Sequence, residues 1–172
     1  MKEIGGKQFP TVWSELFLTF EDVKGKVDTD QSISFKDIIE WITEYNSLNF
    51  EKDTMNGNLL DDLTKKGKVL HTFLNTVKEK IKHMHGSEEL SFNVWCANTK
   101  TNYTGGGTKD PSEAARDRML LIDKEYQTRK TILIRLLVMV ETADSLLWDM
   151  NGMISHIQVK LEAMRKEQPR LP

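Results

Sequence analysis

Apolar residues recur along most of this chain at alternating spacings of three and four, the period of one face of an α-helix. Trp13, Leu16, Phe20, Val23 and Val27 form a first series, behind a Pro10 placed where a first helical turn tolerates it. Asp28-Thr29-Asp30-Gln31-Ser32 interrupts the pattern, and Ser34 with Asp37 then spells the helix-start signal S-x-x-D. Phe35, Ile38, Ile42 and Tyr45 define a second face, widened by Ile39, Trp41 and Leu48. Asn49 to Asn58, which includes Asn56-Gly57, reads as a loop. The third series is Leu60, Leu63, Gly67, Leu70, Leu74, Val77, Ile81 and Met84, predicted to stop at Gly86, a residue suited to the position just past a helix end. A short element from about Ser87 to Cys96 carries Leu90, Phe92, Val94 and Trp95. Polar, glycine-bearing Thr99 to Pro111 is predicted to be a mobile loop.

The last third of the chain repeats the pattern for longest. From Met119 through Ile122, Tyr126, Arg129, Leu133, Leu136, Val140, Ala143, Leu147, Met150, Ile154, Ile157 and Leu161 to Met164, thirteen of fourteen positions are apolar, against 12 of the 32 residues between them. No proline falls between Pro111 and Pro169. One continuous helix there is roughly 80 Å long at ~1.5 Å per residue. Its 3.5-residue repeat requires a partner helix and a left-handed supercoil. Arg129, a charge on the seam, and Gly152, which costs about 1 kcal/mol relative to alanine, are its weak points. A third helix of about 28 residues covers only half of it. The C-terminal seam, Leu147, Met150, Ile154, Ile157, Leu161 and Met164, is therefore predicted to be left over as a protein-interaction surface.

Composition changes this picture little but excludes a good deal. The 172 residues carry 24 basic and 26 acidic side chains, a net charge of −2 with no basic stripe for nucleic acid. Hydrophobic content of 38% with 29% charge and four prolines suits a helix-rich chain. The most apolar run, Thr131 to Val140, is ten residues with Arg135 inside it, about half of what a bilayer span needs. A single cysteine, Cys96, leaves no intrachain disulfide, and the first residues have no apolar leader, so a cytoplasmic, reducing location is expected. The sequon Asn102-Tyr103-Thr104 is then an accidental triplet in a polar stretch.

Phe35-Lys36-Asp37-Ile38-Ile39-Glu40-Trp41-Ile42-Thr43-Glu44-Tyr45-Asn46-Ser47-Leu48 resembles the first helix of a spectrin repeat, with Phe35, Ile38, Trp41, Ile42, Glu44 and Leu48 in the family's roles. The aromatic-to-tryptophan spacing is shorter than the family's, and Tyr126 stands where its third helix usually has tryptophan. The resemblance implies a left-handed three-helix bundle over about Ser34 to Val140. Trp13 to Val27 would be the tail of a preceding repeat, and Thr142 to Met164, with Trp148, the start of a following one. It further implies a structural, cytoskeleton-type scaffold.

No constellation of residues points to catalysis. Asp28, Asp30 and Ser32, with Glu40 beyond, lack the central glycine and the twelve-residue frame of a calcium loop. His83 and His85, two apart at a predicted helix end, read as cations on its carbonyls, while His71 and His156 stand alone. Cys96 has no base or oxyanion donor beside it in the sequence and reads as a small core thiol. Gly105-Gly106-Gly107-Thr108-Lys109 has the letters of a phosphate loop in the wrong arrangement.

The sequence thus predicts an all-α protein, an antiparallel three- or four-helix bundle of spectrin-repeat or coiled-coil type. Residues 1–10 are expected to be flexible, 11–168 to form one bundle (repeat-like core about 34–140, C-terminal helix about 111–168), and 169–172 to be a tail. The expected function is a non-enzymatic scaffold or adaptor, without metal, cofactor, nucleic acid or small-molecule substrate, binding other proteins or itself through helix faces. The alternative is a self-contained four-helix regulatory domain whose loop 99–111 binds a partner.

Overall fold

The computed structural model describes residues 2–4, 7–9, 33–50, 56–103 and 111–167. The readings of Trp13 to Val27, of Asp28 to Ser32 and of the run Gly105 to Lys109 fall outside these residues. Four helices make up nearly all of the rest, α1 (Phe35–Ser47), α2 (Gly57–Asn102), α3 (Glu113–Leu121) and α4 (Lys124–Glu167). The fold is all-α, as the pattern predicts. Near the start of the chain Lys2–Ile4 (β1) pairs antiparallel with Lys7–Phe9 (β2), Glu3 opposite Gln8.

The chain forms two compact units rather than the single bundle expected, and α2 and α4 contribute to both. The first unit holds residues up to Lys78 and those from Thr142 onward, and the second runs from Glu79 to Glu141.

Among the described residues of the first unit, α1, the first half of α2 and the second half of α4 pack together. α1 begins at Ser34, where the Asp37 carboxylate accepts from the Ser34 backbone N–H at 2.6 Å and from its hydroxyl at 2.7 Å. These bonds, led by that of the Ser34 side chain, hold the Asp37 carboxyl below its ordinary value of 3.8. Folding is thus favoured while Asp37 is ionised. Its contribution is complete above the ordinary carboxylate range and is lost as pH falls through the lower, folded-state value. Asp37→Asn is expected to cost about 0.5–1 kcal/mol at pH 7, and urea melts should show this difference shrinking below about pH 4.

α1 buries Phe35, Ile38 and Trp41, so the tryptophan rather than Ile42 centres its inner face. α2 starts on Asn56, whose side-chain oxygen accepts from the Asn58 N–H at 3.0 Å, and Gly57 belongs to the helix rather than to the expected loop. Every position of the predicted third series from Leu60 to Ile81 is buried. Trp41 is fully buried and its indole N–H donates to the Leu63 carbonyl at 2.8 Å. The ring lies on Gly67, where a Cβ would fall 2.4 Å from Trp41 Cζ2 and 3.1 Å from Ile154 Cγ1. α2 runs antiparallel to α4 here, since Gly57 neighbours Met164, Gly67 neighbours Ile154, and the Lys78 ammonium pairs with Asp144 at 2.9 Å. The Phe50 ring, just past α1, lies tilted against that of His156 with centroids 4.4 Å apart, and the Tyr45 hydroxyl lies 2.8 Å from His156 Nδ1, so this histidine is not alone.

In the second unit α2 continues through Gly86 to Asn102, which corrects both the predicted stop and the start of the predicted loop at Thr99. One internal glycine costs about 1 kcal/mol. Against it stands an aromatic cluster about two turns on, with Phe92 5.3 Å from Tyr126 and 6.4 Å from Trp95. His83 and His85 therefore sit inside the helix, not at its end, and His85 Nδ1 lies 3.9 Å from Glu89. Arg129 explains itself as a seam residue: its guanidinium lies over the Trp95 ring at 5.2 Å while Glu125 accepts its N–H bonds at 2.7 and 2.9 Å.

The long C-terminal helix does not begin at Met119. It is interrupted at Ile122 and Asp123, where the Asp123 carboxylate caps α4 by accepting from the Glu125 N–H at 2.7 Å and also accepts from the Tyr103 hydroxyl at 3.2 Å. Ile122, on the predicted seam, is 85% exposed. From Lys124 the helix is unbroken, Asn151 and Gly152 included.

Candidate functional site

The predicted interaction residues are core. Leu147, Met150, Ile154, Ile157 and Leu161 are buried within the first unit and Met164 is half-buried beside Gly57. The first half of α2 lies along this stretch, with Gly57 beside Met164 and Gly67 beside Ile154, and the burial leaves no open C-terminal seam. The underlying expectation, that the seam needs a partner helix, was met inside the chain.

The exposed apolar residues lie elsewhere. In the second unit Leu90 and Val94 on α2, Met119, Leu121 and Ile122 at the end of α3, and Ile132, Ile134 and Leu137 on α4 are all exposed. The same unit buries only Ile81, Leu120, Leu136 and Met139 of its hydrophobic side chains to the level of core. Among the described residues of the first unit the large exposed apolar residues are Leu59, Val69, Trp148 and Val159. Single exposed apolar residues are ordinary, whereas a unit that exposes more of them than it buries is not.

Sequence reasoning missed this surface because it followed only positions in register with the seam. A signal was available. Eight of the ten residues from Thr131 to Val140 are apolar, so that stretch of α4 is hydrophobic all round, and such a helix has two faces to bury rather than one.

Chemically reactive groups do not gather. Cys96 is half-buried, and burial pushes its thiol up, away from the reactive thiolate. Among the described residues no three His, Cys, Asp or Glu side chains come together as a metal set. A shallow cleft between α2 and α4 in the first unit is lined by Asp61, Lys65, Lys68, Glu162 and Arg165 among others. Its charges are of both signs and Lys65 already pairs with Asp61 at 2.7 Å, so it favours no anion or cation. No helix among the described residues is long and apolar enough to cross a membrane. No protein-family model, curated protein or solved structure matches the chain.

Proposed function

We propose that this chain is a non-enzymatic helical adaptor that binds other polypeptides through its second unit. The observation that carries the reading is the exposure of Leu90, Val94, Leu121, Ile122, Ile134 and Leu137 in a unit with so small a core. Covering a half-exposed leucine or isoleucine is worth roughly 1 kcal/mol. The resemblance of Phe35 to Leu48 supports a spectrin-like scaffold as one form of this role. The placement of Trp41 against Ile154, in the unit that does not hold Tyr126, favours the broader adaptor form. An intracellular setting belongs to the same proposal, in keeping with a chain whose one cysteine is a thiol.

A photo-crosslinking residue placed at Leu90 or Ile122 in whole-cell extract is expected to give adducts with another polypeptide, and one at the exposed polar position Lys82 of the same unit to give few. Equal yields at all three positions, or none at any, would remove the second unit as the binding surface.

A further inference from the structure

In the second unit, the outward face of α4 carries Lys130, Ile134, Leu137 and Glu141, spaced by four, three and four along one stripe. All four are exposed, Ile134 at 53% and Leu137 at 46%. The buried residues of the same segment, Leu136 and Met139, face the other way. From either end the stripe reads charge, apolar, apolar, charge, and the two terminal charges are opposite in sign.

That order makes the stripe complementary to itself in one orientation only. If a second α4 is related by a two-fold axis passing between Arg135 and Leu136, Lys130 comes opposite Glu141 of the second copy and Ile134 opposite its Leu137. A parallel pair instead sets Lys130 against Lys130 and Glu141 against Glu141, like charges at both ends. The antiparallel arrangement also aligns the helix dipoles favourably. Its isologous geometry closes on itself, so the product is a dimer rather than a filament.

We propose that this stripe is a homodimerisation surface whose occupant is α4 of a second copy, antiparallel, with Ile134 and Leu137 at the centre and a Lys130–Glu141 ion pair at each end. The proposal rests on the protein-binding reading above and names one partner for it. The Lys130 ammonium lies 5.5 Å from the centre of the Tyr126 ring and 3.5 Å from its hydroxyl within the chain, so pairing exchanges a weak contact for an ion pair at the rim of an apolar patch. The stripe spans about three turns, a contact at the small end of protein interfaces, and dimerisation is expected at a Kd on the order of tens of micromolar.

Sedimentation equilibrium of the full chain from about 1 to 300 µM brackets that Kd and tests the proposal. Wild type is expected to follow a monomer–dimer equilibrium. Lys130→Glu alone and Glu141→Lys alone, each of which sets like charges at both ends, should dimerise at least about tenfold more weakly. An equimolar mixture of these two variants should recover a dimer, because every end then carries opposite charges, and so should the double swap in one chain. Leu137→Glu should abolish dimerisation, with its circular-dichroism melt unchanged because the position is exposed. A wild type that stays monomeric throughout, a dimer indifferent to the single swaps, or a mixture that fails to recover would each overturn it. In any of those cases the cross-links from Leu90 and Ile122 decide separately whether the chain binds a different protein.

Discussion

Alanine in place of Gly67 is expected to destabilise the protein by about 1–3 kcal/mol, although alanine is the better helix former by about 1 kcal/mol. The added methyl would lie 2.4 Å from Trp41 Cζ2, 2.8 Å from Cε2 and 3.1 Å from Ile154 Cγ1, and the ring cannot easily yield because its N–H is anchored on the Leu63 carbonyl. Relief requires α1 to lift from α2 or the indole to lose its acceptor, and a buried donor without an acceptor itself costs about 1–3 kcal/mol. Gly86 and Gly152 are the internal controls. Nothing lies within 4 Å of a Cβ built at either, so alanine there is expected to be neutral or to stabilise by up to about 1 kcal/mol. Urea melts of the three variants suffice. The clash also predicts coupling: combined with Trp41→Phe, the Gly67→Ala penalty should fall by about 1 kcal/mol or more. A Gly67→Ala protein as stable as wild type would mean that Trp41 is not seated on this glycine.

Gly67 shows what the sequence could and could not convey. Its place in the series from Leu60 to Ile81 was legible, since burial follows the three-four spacing at every position. That a glycine was needed there was not, because the reason is a tryptophan 26 positions earlier lying across it. Gly86 misled in the opposite sense. A glycine at the end of a clean apolar series is a local stop signal, and it was overruled by the contact of Phe92 with Tyr126, two residues 34 apart. Asp123 did carry a local signal, as a strong helix-capping residue. It went unread because Met119 and Ile122 happen to continue the three-four series across the break.

A helix ending at Gly86 would leave the C-terminal seam without enough cover. With α2 at its full 46 residues against the 44 of α4, the two helices match in length, and the argument for a leftover seam disappears. Faces outside the dominant series, such as Lys130 to Glu141, leave no mark on the three-four pattern of that series. Exposure at Ile134 and Leu137, which depends on where α4 turns its other face, had to come from the structure.

The corrected seam yields the sharpest stability contrast in the molecule. Ile157→Ala is expected to cost about 2–5 kcal/mol, because Ile157 is fully buried in the first unit and its removal leaves a cavity in that core. Trp148→Ala, on the same helix two and a half turns earlier, removes a larger side chain that is 79% exposed and should change stability by no more than about 0.5 kcal/mol. Residue size therefore predicts the reverse of the expected order, and only the direction of each side chain gives it correctly. Both effects are to be measured by denaturant melts at about 1 and about 5 µM, below the association proposed for the second unit, so that linkage to dimerisation does not enter. If Leu147 to Met164 were instead an open seam completed by another chain, the Ile157→Ala penalty would change between the two concentrations, since dilution would remove the cover. An Ile157→Ala loss below about 1 kcal/mol, under half of what a buried isoleucine gives, or one that shifts on dilution, would return that seam to the surface.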